Sequence, residues 1–160
     1  MPRTDRGSGR GSGRGRDKHR NPSNHTGSGR SQHQPPAPTV CPCGTGKPYA
    51  DCCGALHDGR ATAATAEQLM RSRYSAFAVN DAAYLLRSWH SSTRPAHLDL
   101  DPRTRWTGLE IVGTTGGTAF NTDGTVEFIA RYTESGHADS LRENSSFVRE
   151  DGNWVYLSAL

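Results

Sequence analysis

The chain has 160 residues, enough for one ordinary domain, and a net charge of +3. That charge is uneven: residues 1–38 hold eight of the nineteen Arg and Lys but only Asp5 and Asp17, a net of +6, which leaves residues 39–160 at −3. No apolar run approaches the ~18 residues a spanning helix needs, so membrane insertion is not expected. The arginines near the N-terminus lead into no apolar segment, which argues against a secretory signal and for a cytoplasmic protein.

Residues 1–39 read as an Arg/Gly/Ser-rich tail. "RGSGRGSGRGR" (Arg6 to Arg16) is low in complexity, and no Leu, Ile, Val, Phe, Tyr or Trp occurs before residue 39. Such a segment buries too little apolar surface to offset its ordering entropy, so it is expected to be disordered. Its arginines suit weak, sequence-insensitive binding to nucleic-acid phosphates, and it has no aromatic side chain to stack on bases. The competing reading is a solvated tail without a role.

All four cysteines follow within "CPCGTGKPYADCC", spaced C-x-C-x8-C-C. In a reducing compartment that clustering indicates metal rather than disulfides. Four thiolates at Cys41, Cys43, Cys52 and Cys53 suit one Zn²⁺ in a closed, structural site, with iron as the competitor. Gly44 and Gly46 permit positive φ between the pairs. Cys52 and Cys53 can both serve at the first turn of a helix, and His57, four residues after Cys53, is an alternative ligand. The module is assigned to residues 40–60. It is expected to unfold without metal, while the rest of the chain, with its own apolar faces, persists.

Residues 61–160 read as an α+β body. Thr65 with Gln68 three later starts a helix in which Ala66, Met70, Arg73, Tyr74 and Phe77 share one stripe. Arg71 falls off that stripe and reads as solvated. Asp81 caps a second helix with Ala82, Leu85, Leu86 and Trp89 on one face, and Pro95 stops continuation. From Trp106 the period changes to two, giving a meander of about four strands. Val126, Phe128, Ala130 and Tyr132 alternate with polar neighbours, and Ile129 breaks the rule. Asp151-Gly152 is a tight hairpin signal that sets Val148 opposite Val155 and Phe147 opposite Tyr156. Alternation places Glu143 and Ser145 on the face of Leu141 and Phe147, while Arg73 lies on the apolar helix face. Two charges so placed suggest a buried Arg73–Glu143 ion pair, or a polar pocket floor. Asp99 and Asp101 in "HLDLDP" fit a turn better than a cation site.

"CPCGTGKPYADCCG" closely resembles the SEC-C motif, a small zinc module. "LMRSRYSAFAVNDAAYLLRSWHSSTRP", "WTGLEIV" and "FVREDGNWVY" resemble, in order, the uncharacterised YchJ family. The resemblance spans about residues 41–158. It implies a zinc module followed by a nuclear-transport-factor-like domain, a cone of helices on a curved antiparallel sheet, and it implies no established activity. A cone of this kind commonly holds a small ligand. Here its pocket would be floored by Arg73 and Glu143 and walled by Tyr84, Trp154 and Tyr156. His90 is a candidate general base, although a lone His near a helix end is more often structural. With no catalytic signature in the chain, the leading expectation is a zinc-stabilised interaction or adaptor protein with a protein or ribonucleoprotein partner. The alternative is a small-molecule binder, or an enzyme, using the cone pocket.

Overall fold

In a computed structural model, residues 36–160 are described. The expectations for the Arg/Gly/Ser-rich tail fall almost entirely outside them. A 3-10 turn at Tyr49–Asp51 leads into α1 (Cys53–His57), followed by α2 (Ala66–Ala78), α3 (Ala82–Arg87) and four strands, β1 (Thr104–Gly116), β2 (Asp123–Glu134), β3 (His137–Glu150) and β4 (Asn153–Ala159). The strands form one antiparallel meander in the order β1-β2-β3-β4.

Local chemistry accounts for the boundaries. The Thr65 hydroxyl accepts from the Gln68 N–H at 3.1 Å, and the Gln68 side chain reaches back to the Ala64 N–H at 2.7 Å, so orphan donors at the start of α2 are satisfied. The Asp81 carboxylate accepts from the Tyr84 N–H at 2.9 Å and caps α3. Asp151 and Gly152 both take positive φ (52° and 82°), joining Glu150 to Asn153 in a two-residue hairpin. Val148 then pairs with Val155 and Phe147 with Tyr156, as the turn requires. Ser135-Gly136 (φ 50° and 82°) makes the same kind of turn between β2 and β3, a signal not drawn from the sequence.

The sheet curves because its ladders carry extra residues. Thr107 and Val112 interrupt the β1–β2 register, and Leu157 interrupts β3–β4. Bulges of this kind bend a strand and increase its twist. Helix α2 packs on the resulting inner face. Ala66, Leu69, Met70 and Tyr74 are buried against Val126, Phe128, Ala130, Phe147 and Trp154. Alternation along β2 is regular from Gly124 to Ala130, where inward residues are buried and Thr125, Glu127 and Ile129 are only half-buried. After α3 the chain runs beside β4: the His90 N–H donates to the Tyr156 carbonyl (2.7 Å) and the Tyr156 N–H to the Ser88 carbonyl (2.9 Å). This short parallel bridge covers part of an edge strand.

The cysteine segment and the α+β body belong to one compact unit. No helix among the described residues is long and apolar enough to cross a membrane.

Candidate functional site

Two arrangements stand out, on opposite sides of α2. The first is the cysteine cluster. Gly44 and Gly46 take φ of 87° and 78°, folding the chain so that the Cys41 N–H reaches the Lys47 carbonyl at 2.9 Å. Cys52 sits at the N-cap of α1 and Cys53 is its first residue. The four sulfurs lie within 4.8 Å of one another, three of the residues are buried, and all four are free thiols. Tetrahedral zinc with Zn–S of about 2.3 Å places sulfurs roughly 3.8 Å apart, so the donor set fits such an ion. Cys43 and Cys52 are already at 3.6 Å. The protons also conflict in the absence of a cation. Hydrogen bonds from Cys43 and then Cys53 hold the Cys41 thiol far below its ordinary value, whereas the bond to Cys41 pushes Cys53 far above it. Of Cys41 and Cys53, one thiolate at a time is favoured unless a positive ion is shared between them.

His57 does not replace a cysteine as donor. Its Nε2 lies 2.7 Å from the Ser72 carbonyl and its Nδ1 2.6 Å from the Tyr49 hydroxyl. A carbonyl only accepts, so Nε2 carries the proton and Nδ1 accepts from Tyr49. Burial keeps the ring below its ordinary pKa and therefore neutral at pH 7. His57 thus fastens α1 to α2. Arg71 is not a solvated residue either. It donates to the Cys43 carbonyl at 2.8 Å while pairing with Glu67 at 3.1 Å. Ser75 places its hydroxyl 3.6 Å from the Cys41 sulfur. Sequence reasoning missed Ser75, 34 residues from Cys41. The one available signal was Arg71, Ser72 and Ser75 forming a polar edge beside the apolar stripe of α2.

The second arrangement is a cavity of about 290 Å³ between α2 and the inner face of the sheet. Arg73, Glu143 and Tyr156 line it. Arg73 is only 5% exposed. The expected Arg73–Glu143 ion pair does not form. The Arg73 Nη1 donates to the Leu85 carbonyl (2.8 Å) and the Ser88 hydroxyl (2.7 Å), and its guanidinium packs against the rings of both Trp89 (5.0 Å) and Tyr156 (4.6 Å). The C-terminal end of α3 therefore holds the arginine that the sequence pattern assigned to β3. Burial lowers Arg73 to about 10, which leaves it charged at pH 7. Glu143 is half-buried and accepts from Ser145 at 2.7 Å. Since no hydrogen bond or ion pair ties it to a buried cation, Glu143→Gln should shift stability in urea melts by no more than about 0.5 kcal/mol. A loss of several kcal/mol would reinstate the ion pair.

Two expected wall residues, Tyr84 and Trp154, and the candidate base His90 lie elsewhere. Tyr84 packs on His57 and donates to the Ser72 hydroxyl (2.6 Å), which itself donates to the Leu69 carbonyl. Trp154 is buried with its indole N–H on the Ala64 carbonyl at 3.1 Å. His90 is held at the β3–β4 hairpin by Glu150 (3.1 Å) and Ser92 (2.6 Å), away from the cavity. Their places are taken by Trp89 and Trp106, whose approach depends on the bridge after α3 and on the curvature of β1. Asp101 pairs with Arg103 at 2.9 Å in the turn before β1, and Asp99 is exposed.

A four-cysteine module fused to helices on a curved antiparallel sheet defines a class of small α+β protein with a metal-binding type of motif. Comparison with known proteins places the chain within that class. A family model described as "YchJ, middle NTF2-like domain" matches residues 65–159, and one described as "SEC-C motif" matches residues 40–55. A UPF0225 protein of Streptomyces coelicolor is 60% identical over 116 residues, covering 72% of this chain and 90% of that protein. A UPF0225 protein of Deinococcus radiodurans is 47% identical over 120 residues, covering 74% and 87%. The solution structure of a SEC-C motif containing protein from Rhodopseudomonas palustris aligns with a TM-score of 0.67 at 34% identity, covering 76% of this chain and 97% of that one. The crystal structure of a SEC-C motif containing protein from Psychrobacter arcticus aligns at 0.63 and 30%, covering 75% and 81%. The chain belongs to the YchJ family.

Proposed function

We propose that this chain is a zinc-stabilised cytoplasmic protein that binds a small molecule in the cavity between α2 and the sheet. Cys41, Cys43, Cys52 and Cys53 hold the Zn²⁺ in a structural role. Four thiolates close the coordination shell and leave no position for a substrate. The observation that supports the cavity reading is Arg73, a buried charge without a carboxylate partner on an otherwise mainly apolar wall. Burying a charge costs free energy unless something completes its solvation, and a pocket of this makeup is the usual setting for a ligand. The adaptor expectation drew on the lack of any recognisable chemical site in the sequence, and the cavity offers one.

The test uses Leu141, which lines the cavity and is 42% exposed at its rim. Leu141→Trp should narrow the mouth and leave the core intact. A ligand at about 100 times its Kd should stabilise the wild-type chain by roughly 2.7 kcal/mol. The variant should lose that response and keep its metal content. A screen of small metabolites in which nothing stabilises the wild type, or in which Leu141→Trp responds equally, counts against the reading.

A further inference from the structure

The chemistry of the cavity wall narrows what it accepts. Nη1 of Arg73 is used by Leu85 and Ser88, while Nε and Nη2 hydrogen-bond no protein atom. Among the described residues, only the Trp89 indole nitrogen is a side-chain polar atom both sealed from solvent and unpaired. The Nε–Nη2 edge therefore keeps solvent contact, on a residue that lines the cavity. That edge is the planar fork that grips a carboxylate with two parallel bonds. Leu85, Ser88, Trp89 and Tyr156 hold the guanidinium in place, so little side-chain entropy remains to be lost on binding.

The wall also carries one acid. Glu143 shares the inner face with Ser145, and one of its oxygens accepts the Ser145 proton. The other oxygen has no protein partner among the described residues. A simple anion would satisfy Arg73 and be repelled by Glu143. A simple cation would meet the reverse. Besides Leu141 at the rim, the remaining lining is Met70, Tyr74, Phe77, Trp106, Phe128 and Ala130, which suits a ring or a branched aliphatic group. A volume of about 290 Å³ lies at the small end of ligand sites, room for one such group and a short polar head.

Resting on the cavity being a binding site, we infer that its occupant is a small amphoteric acid: a carboxylate on Arg73, an adjacent amino or hydroxyl donor toward Glu143, and an apolar side group among the aromatic rings. Free α-amino acids and 2-hydroxy acids with large apolar side chains have this chemistry. Arg73 and Glu143 then act as a matched pair read across the ligand, which explains why they face one cavity without touching.

The test uses full-length, metal-loaded protein and its indole N–H signals. Trp89 and Trp106 line the cavity, and Trp154, bonded to Ala64, is the internal control. The probes are phenylalanine, phenyllactate, phenylpropionate, phenethylamine and phenylethanol. Phenylalanine and phenyllactate should move the Trp89 and Trp106 signals saturably and leave Trp154 in place. Phenylpropionate and phenethylamine, each lacking one polar group, should bind at least about tenfold more weakly, the scale of one charge-assisted hydrogen bond. Glu143→Gln should weaken phenylalanine by about tenfold and leave phenyllactate no weaker, because an amide oxygen still accepts from a hydroxyl. Equal binding of phenylpropionate and phenylalanine, or of phenylethanol alone, overturns the ligand class and leaves the cavity as a binding site. Failure of all five to move Trp89 and Trp106, or an equal shift of Trp154, overturns the ligand class, and the cavity reading falls with it only where the metabolite screen also stabilises nothing.

Discussion

Replacing Cys52 and Cys53 together with serine should remove bound metal and lower the melting temperature of the whole folded unit, not of the cysteine segment alone. The reason is the shared helix. His57 on α1 bonds the Ser72 carbonyl, Arg71 bonds the Cys43 carbonyl, and the Ser75 hydroxyl lies beside the Cys41 sulfur. Each contact spans from the cysteine segment to α2, whose other face forms the core. Metal binding that requires a folded site contributes directly to folding free energy, about 10–16 kcal/mol in isolated zinc modules. Part of that should appear here as a loss of roughly 3 kcal/mol or more, about 10 °C for a unit of this size. Elemental analysis of the wild-type chain, prepared without chelator, should find about one Zn²⁺ per chain. Hydrogen exchange then separates the outcomes. Faster exchange along α2 in the double variant fits a shared unit. Unchanged protection in α2 would restore the simpler expectation of a detachable module. Full metal retention by the double variant would remove these cysteines from the site.

Gly124→Ala should be among the most damaging single methyl groups that can be added to the sheet. A Cβ at position 124 would fall 2.4 Å from the backbone of Gly117, and backbone cannot swing aside as a side chain can. That contact positions α2, because the Ala66 N–H donates to the Gly117 carbonyl at 2.9 Å and the Gly117 N–H to the Asp123 carbonyl at 3.0 Å. Displacing Gly117 would therefore move the first turn of the helix that carries Arg73. The expected cost is about 3 kcal/mol or more in urea melts, in the range of severe overpacking. Gly108→Ala is the control. It lies in β1 with nothing within 4 Å of the added methyl and should cost about 1 kcal/mol at most. Equal effects at the two positions would mean that the Gly117 crossing yields easily and does not hold α2.

The elements legible in the sequence were those with short-range causes. Thr65 and Asp81 cap the helices they precede, and Asp151-Gly152 sets the β3–β4 register, because each acts within a few residues. The four cysteines are close together in the chain, so their meeting needs only one tight loop. The two-residue period of β2 identified its inward face, and with it the surroundings of Glu143. The cavity wall was legible only in part. Tyr84 and Trp154 have the residue types of a pocket, but Tyr84 turns to His57 and Ser72, and Trp154 to Ala64.

What the sequence by itself determined is the inventory: a thiol cluster that fits a metal, two capped helices, a meander, and two charges placed on apolar faces. Tertiary structure decided which of those groups meet. Arg73 and Glu143 both point inward by periodicity. Periodicity reports direction and not distance: both line one cavity, and no ion pair joins them. The guanidinium instead found a carbonyl and a hydroxyl at the end of α3, only twelve and fifteen residues along the chain. Arg71 and Ser75 were drawn to the cysteines for the complementary reason. Their side of α2 faces α1, and a carbonyl or a sulfur held near a helix is a partner that no local pattern announces.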